Sequence, residues 1–230
     1  MPGHFTAATF RFLRELEENN DRAWWEQNKQ RYVEDVRDPA VAFIADIAGG
    51  LATISPHFVA DARSSGGSLM RPYRDIRFSA DKTPYKTNVG IQFRHEAGKD
   101  VHAPGFYVHL EPSRCFAGAG LWSPETPVAT AIRRAIDEDP AGWGKAAHDA
   151  KFERTWSLGD QEEDRLRRVP AGLKADHAYV DDLRLKSFVA GRRLTQREVT
   201  SADFTASMVK SFKETGPLVR FLCRAIELPY

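Results

Sequence analysis

One short stretch of the chain concentrates positive charge. Residues 71–94 read RPYRDIRFSADKTPYKTNVGIQFR and carry six basic side chains against two acidic ones. The whole 230-residue chain has a formal net charge of only +1. Guanidinium groups bind carboxylate or phosphate oxygens through paired hydrogen bonds. The stretch therefore predicts a binding site for an anion.

The side chains of this stretch are the first candidates for ligand contacts. In an extended chain, alternate residues point to the same side, and aromatic rings between cations favour a pocket over a bare surface. The predicted ligand-binding residues are Arg71, Tyr73, Arg74, Asp75, Arg77, Lys82, Lys86 and Tyr107. The alternative is an internal salt-bridge lattice, in which Asp75 and Asp81 pair with two of the cations and water solvates the rest.

A second candidate lies on a predicted strand. Residues 106–111 alternate apolar and polar side chains, which places Tyr107, His109 and Glu111 on one face. We predict His109 and Glu111 as the catalytic acid/base pair if the protein is an enzyme. His95 and His102 are near in sequence, but no spacing of the HExxH type occurs, so we predict neither a metal site nor a cofactor. The structural alternative is a half-buried histidine bonded to its neighbours.

A third motif is FAGAGLWSP, which contains Gly118 and Gly120. It predicts a flexible glycine corner, followed by a helix with Ser123 as N-cap and Pro124 at its first position. The backbone N–H groups of such a helix start bind anions. Close packing of a strand against a helix also needs small residues, and we favour this structural role.

Hydrophobic spacing predicts the fold class. Residues 10–54 and the C-terminal part show helical spacing of apolar side chains, whereas residues 89–94 and 106–111 alternate. The links between the predicted strands are too short for crossover helices, which favours antiparallel pairing. We therefore predict a single α+β domain over residues 1–230. It contains a small, mostly antiparallel sheet of about four strands or more, flanked by N-terminal and C-terminal α-helices.

Composition limits the setting of the protein. Cys115 and Cys223 are far apart and neither belongs to a CxxC pair. The N-terminal residues lack the apolar segment of a signal peptide, and no apolar run approaches the roughly 20 residues of a membrane span. We expect a cytoplasmic protein that does not bind membranes, whose oligomeric state the sequence leaves open.

Four blocks of the sequence resemble an uncharacterised family of bacteria and fungi, known as domain of unknown function 2461. The resemblance covers about residues 10–225, and it implies one full-length domain without implying an activity, cofactor or substrate. The blocks are NNDRAWWEQNKQRYVEDVRDP, RPYRDIRFSADKTPYKTN, PGFYVHLEPSRCFAGAGLWSP and LRLKSF.

Three functional hypotheses follow. The leading one is a ligand-binding or catalytic pocket on the polar side of the sheet, where the cations hold a small phosphate or carboxylate ligand. The second is a nucleic-acid-binding module, suggested by residues 71–94 and the cluster LRLKSFVAGRR, although the balanced total charge counts against it. The third is a scaffold or partner-binding protein without a small-molecule site. It ranks last because both terminal helices have the pattern of core elements.

Overall fold

A computed structural model describes residues 3–77, 79–98, 103–159 and 164–230. The α-helices in these ranges are α1 (Ala7–Glu18), α2 (Arg22–Tyr32), α3 (Asp38–Ala52), α4 (Thr126–Glu138), α5 (Pro140–Ala147), α6 (Ala150–Glu153), α7 (Val180–Leu183), α8 (Gln196–Val199), α9 (Phe204–Glu214) and α10 (Gly216–Ala225). A π-helical turn, Val33–Arg37, joins α2 to α3. Crossing a membrane requires a longer and more apolar helix than any that these described residues form.

Within the described residues, the strands form one antiparallel sheet of six strands in the order β1-β2-β3-β4-β6-β5. Its members are β1 (Phe58–Val59), β2 (Val89–His95), β3 (Gly105–Leu110), β4 (Cys115–Leu121), β5 (Ser157–Leu158) and β6 (Phe188–Leu194). Every pairing between neighbouring strands in this described sheet is antiparallel. With helices before and after the sheet, the α+β prediction is confirmed.

One face of the sheet forms the hydrophobic core. Phe93 of β2 and Phe106 of β3 contact Phe212 of α9, with ring centroids 6.2 and 4.7 Å apart. Phe43 of α3 packs on Phe93 from the N-terminal side. Burying a side chain of this size stabilises the fold by about 1.5–3 kcal/mol. The apolar residues of the alternating pattern therefore fix which face of the sheet the helices cover, as the alternation predicted.

The predicted glycine corner is wrong. Gly118 and Gly120 lie inside β4, which pairs with β3 on one side and β6 on the other. The two ladders hold this backbone extended, so it cannot turn there. Gly120 has a φ of +132°, and an added Cβ would come 2.1 Å from the carbonyl oxygen of Phe188. A side chain at this position is incompatible with the strand.

The predicted helix start at Ser123 is also wrong. Helix α4 begins at Thr126, with Glu125 as its N-cap residue. Ser123 has a φ of +46°, outside the extended conformation of an N-cap residue. Its backbone N–H donates to Oγ of Ser187 (2.9 Å), which ties the end of β4 to the residue before β6.

A hydrogen-bonded cluster around His148 joins α5, α6 and α7, which lie between β4 and β6 in the chain. Nε2 of His148 lies 2.6 Å from Oδ2 of Asp182, and its Nδ1 lies 3.0 Å from Oε1 of Glu153. The same Asp182 oxygen accepts the indole N–H of Trp143 at 2.7 Å. The hydrogen bond that His148 donates to Asp182 is the largest influence on the pKa of His148 and raises it, against the opposing effect of burial. The contacts therefore favour a charged imidazolium at this position.

This cluster predicts a pH-dependent contribution to stability. Because the pKa of His148 in the fold is raised above its ordinary 6.5, the contribution is complete below pH 6.5 and disappears as pH rises through the folded value. We expect His148→Gln to lower the free energy of unfolding at about pH 5.5 by on the order of 1 kcal/mol, and by less at about pH 8.5. Chemical denaturation at the two pH values measures this difference. An equal loss at both pH values would contradict it.

Candidate functional site

The second face of the sheet carries a row of residues that runs across five strands. Gln92, Tyr107, Gly118, Gly191 and Ser157 are neighbours in the pairing of β2, β3, β4, β6 and β5. A cavity of about 530 Å³ lies over this row, and all five residues line it. Cavities of this size hold small organic ligands. The sheet pairing thus creates a concave surface on the face opposite the core.

Gly118 stands at the centre of the row, and packing does not explain why it is a glycine. An added Cβ would lie 3.7 Å from Cβ of Tyr107 and 3.7 Å from Cγ1 of Val189, which is ordinary van der Waals contact. Glycine inside a strand costs roughly 0.5–1 kcal/mol relative to alanine, and it often marks a place where a ligand approaches the backbone. The missing side chain keeps the cavity floor bare.

The two ends of the cavity differ in chemistry. Side-chain alternation along β4 places Arg114, Phe116 and Trp122 on the same face as Gly118, and all four line the cavity. The guanidinium of Arg114 lies 4.8 Å from the centroid of the Phe116 ring. No carboxylate of the described residues forms a salt bridge with it. Trp122 is 60% exposed at the other end. A cation and two aromatic rings therefore face the same space.

Tyr107, His109 and Glu111 form a hydrogen-bonded chain beside the cavity. The Tyr107 hydroxyl lies 3.1 Å from Nδ1 of His109, and Nε2 of His109 lies 3.4 Å from Oε2 of Glu111. The His109 ring stacks on Phe116, with centroids 4.7 Å apart. The alternation predicted this shared face correctly. Of the three residues, Tyr107 lines the cavity, so it connects the other two to that space.

Burial sets the protonation of this chain. Burial lowers the pKa of His109, which outweighs the hydrogen bond and the charge of Glu111 that raise it. The charge of Arg114 lowers it further. Burial raises the pKa of Tyr107 to about 12. At neutral pH the chain therefore presents a neutral imidazole and a protonated hydroxyl. With Nε2–H of His109 directed to Glu111, Nδ1 accepts the hydrogen of the Tyr107 hydroxyl, and the hydroxyl oxygen can accept a hydrogen bond or a proton from the cavity.

Before β2, the described part of the basic stretch (residues 71–77 and 79–87) forms a ribbon that docks on the N-terminal helices. The backbone N–H of Lys86 donates to the carbonyl of Pro72 (2.7 Å), so the two halves of the stretch pair with each other. Tyr85 stacks on Trp25 of α2, with centroids 4.1 Å apart and an interplanar angle of 11°. The side chain of Asn20 accepts from the N–H of Tyr85 and donates to its carbonyl (3.1 and 2.9 Å). The ribbon is therefore fixed at the corner between α1 and α2.

Three of the predicted ligand-binding cations have partners inside the ribbon. Arg77 donates from Nε and Nη2 to the two oxygens of Asp75 (2.9 and 2.7 Å), and Arg74 pairs with Asp81. Nζ of Lys82 donates to a backbone carbonyl of the ribbon (2.9 Å). Hydrogen bonds from Arg77 lower the pKa of Asp75 to about 2. This arrangement matches the salt-bridge lattice that we considered as the alternative.

Two predicted cations lie at the base of the ribbon. Within the described ranges, no carboxylate forms a salt bridge with Arg71 or Lys86. Burial, and then the positive charge of Arg71, lower the pKa of the half-buried Lys86. Tyr73 is 48% exposed and contacts the Tyr85 ring (5.5 Å). Among the predicted residues that the structure describes, only Tyr107 lines the sheet cavity.

Arg114, Trp122 and Gly191 are among the lining residues that the sequence did not single out, and Gly118 was predicted in a corner instead of a strand. The signal was the alternation of Arg114, Phe116 and Gly118 with the small apolar residues of β4. Because glycine is common in turns, Gly118 and Gly120 led to the prediction of a corner. The strand was therefore predicted to end before Gly118, whereas β4 continues to Leu121. The partner glycine, Gly191, became visible only through the pairing of β4 with β6.

The predicted histidine neighbourhood divides between the core and residues that are not described. His95 is buried, and its Nε2 lies 2.9 Å from the carbonyl oxygen of Pro229. His102 lies outside the described residues. Elsewhere in the described part of the chain, no group of three or more His, Cys, Asp or Glu side chains is placed to hold a metal ion.

Comparison with known proteins identifies the family. Residues 8–221 match a family model described as "Conserved hypothetical protein (DUF2461)". The match covers most of the chain, so the chain belongs to this family. No curated protein and no solved structure matches it.

The environment of His109 predicts opposite responses to two substitutions. Glu111 raises the pKa of His109 and Arg114 lowers it. We therefore expect Glu111→Gln to lower the pKa of His109 and Arg114→Gln to raise it, both measured by NMR titration of the imidazole. In the unmodified protein the pKa should lie below the ordinary 6.5. A value above 6.5, or shifts of the same sign in both variants, would contradict this electrostatic description.

Proposed function

We propose that the sheet cavity binds a small organic anion, a carboxylate or a phosphate with a flat apolar part. Gly118 carries the proposal, because the fold has room for a side chain there and yet the floor is bare. A strand normally favours residues with side chains at such a position. A flat ligand lying directly on the backbone explains the choice of glycine.

The lining suggests how such a ligand would be held. Neighbouring strands are about 4.8 Å apart, so the bare floor from Tyr107 to Ser157 spans three spacings, or about 14 Å. This width accommodates a ring on the Gly118–Gly191 pair. Arg114 would receive the anionic group, since its guanidinium is supported by Phe116 and forms no salt bridge within the described chain, not even with Asp164, the acidic residue that also lines the cavity.

Any proton transfer in this cavity would pass through Tyr107. Its oxygen would accept a proton from the ligand while its own hydroxyl proton moves to Nδ1 of the neutral His109, and Glu111 would stabilise the imidazolium that forms. His109 and Glu111 would then act through the tyrosine, which modifies their predicted role as the groups that meet the substrate.

The proposal also assigns a setting to the protein. The two cysteines are buried and free, which suits a reducing compartment, and we propose a cytoplasmic location on this basis. The nucleic-acid and scaffold hypotheses stay predictions. The internal pairing of Arg74 and Arg77 removes part of the reason for the first.

A thermal-shift titration with phenyl phosphate and benzoate tests the proposal. At about 100 times its Kd, a ligand adds about 2.7 kcal/mol of stability, and each kcal/mol raises Tm by roughly 2–4 °C for a chain of this length. We expect at least one of the two probes to stabilise the protein. Gly118→Ala should then weaken binding about tenfold or more, since one methyl group now occupies the floor. Arg114→Gln should weaken it by a similar factor, because a charge-assisted hydrogen bond is lost.

The stability of the variants separates blocked binding from misfolding. Without ligand, Gly118→Ala should keep its Tm or raise it, because the added Cβ meets only ordinary contacts. Gly49→Ala is the matched control, since an added Cβ there has no atom within 4 Å and lies outside the cavity. It should bind as the unmodified protein does. No stabilisation by either probe, or undiminished binding by Gly118→Ala, would overturn the proposal.

A further inference from the structure

A second cavity lies among the helices, away from the sheet cavity. Its volume is about 460 Å³, and α5, α9 and α10 contribute to its lining. Four basic side chains face it: Lys145, Lys213, Arg220 and Arg224. Asp139 is the one acidic side chain among its lining residues, all of which lie in the described ranges. The two cavities share no lining residue, so their occupants would be independent.

The acidic side chain is already committed to other contacts. Oδ1 of Asp139 accepts the backbone N–H of Gly142 at the start of α5 (2.9 Å). Its Oδ2 accepts from Nη2 of Arg224 (2.7 Å). The N–H of Gly142 and the Arg224 guanidinium lower the pKa of Asp139, so it is ionised at neutral pH. No salt bridge neutralises Lys145, Lys213 or Arg220 within the described chain.

Aromatic rings hold the two arginines in place. The guanidinium of Arg220 lies 4.8 Å from the centroid of the Tyr230 ring, and that of Arg224 lies 5.1 Å from the centroid of the Phe221 ring. A guanidinium supported on its flat face keeps its N–H edges available for an oxyanion. Arg220 and Arg224 also stand one helical turn apart, where like charges repel. An anion between them would relieve that repulsion.

We propose that this basic cavity binds a small molecule with two or more phosphate groups. One phosphate carries less than two negative charges at neutral pH and can engage one or two of the cations. Lys145, Lys213 and Arg220, which have no carboxylate partner in the described chain, together with the remaining N–H groups of Arg224, match the charge and the several oxygens of a diphosphate. This class of ligand therefore differs from the one proposed for the sheet cavity, which carries a single anionic group.

Calorimetric titration with inorganic pyrophosphate tests the proposal, with orthophosphate and sulfate as comparisons at about 0.15 M salt. We expect pyrophosphate to bind more tightly than either comparison anion. The double variant Lys145→Gln/Arg220→Gln should weaken pyrophosphate binding by about a hundredfold, at roughly tenfold for each charge-assisted contact removed. Lys145 and Arg220 are both exposed, so the variant should remain folded. Circular dichroism verifies this.

A control variant separates a specific site from total charge. Lys151→Gln/Arg197→Gln also removes two positive charges, but from exposed positions that do not line this cavity. It should bind pyrophosphate as the unmodified protein does, and so should Gly118→Ala. The proposal is overturned by no pyrophosphate binding, by equal affinity for all three anions, or by equal weakening in the control variant.

Discussion

The pairing register of the central strands is the constraint on which the sheet cavity depends. Ala117 and Ala119 of β4 are buried against the helices, and a shift by one residue would turn them to the other face. The core therefore fixes the register. The same register places Gly118 between Tyr107 and Gly191. Packing on the core face of the sheet thus determines which residues are neighbours on the cavity face.

A cation attracts an outside anion more strongly when no acidic side chain of the protein already pairs with it. The salt-bridge partners of the cations therefore indicate an anion site better than the local density of charge does. The ribbon carries five cations, but Arg74 and Arg77 are paired with acids of the same ribbon. These exposed pairs contribute little to stability, and they reduce the attraction for an outside anion. Arg114 has no such pair within the described chain and lies beside a bare floor. The cavity among the helices also combines open space with cations that have no salt-bridge partner in the described chain. Asp139 is bonded to Gly142 and Arg224, which leaves three cations of the lining without a salt bridge.

Local pattern predicted those parts of the fold that depend on neighbours in sequence. The alternation in residues 106–111 predicted β3 and the shared face of Tyr107 and His109, because side chains in a strand alternate whatever the tertiary structure. The helical cavity could not be predicted in this way. Its cations come from α5, α9 and α10, and only packing of these helices brings Lys145 near Arg220. Gly118 was misread because a glycine in a strand and a glycine in a turn look alike until the partner strands are known.

The most direct test of the central claim is a map of where a ligand binds. Amide and indole chemical shifts of the ¹⁵N-labelled protein, followed during titration with phenyl phosphate, would provide it. The account predicts that the largest changes occur at the amides of Gly118 and Gly191 and at the Trp122 indole, with saturation at one common Kd. Changes confined to the ribbon or to the α5–α10 cavity, or no saturable change at all, would contradict the assignment of the sheet cavity as the ligand site.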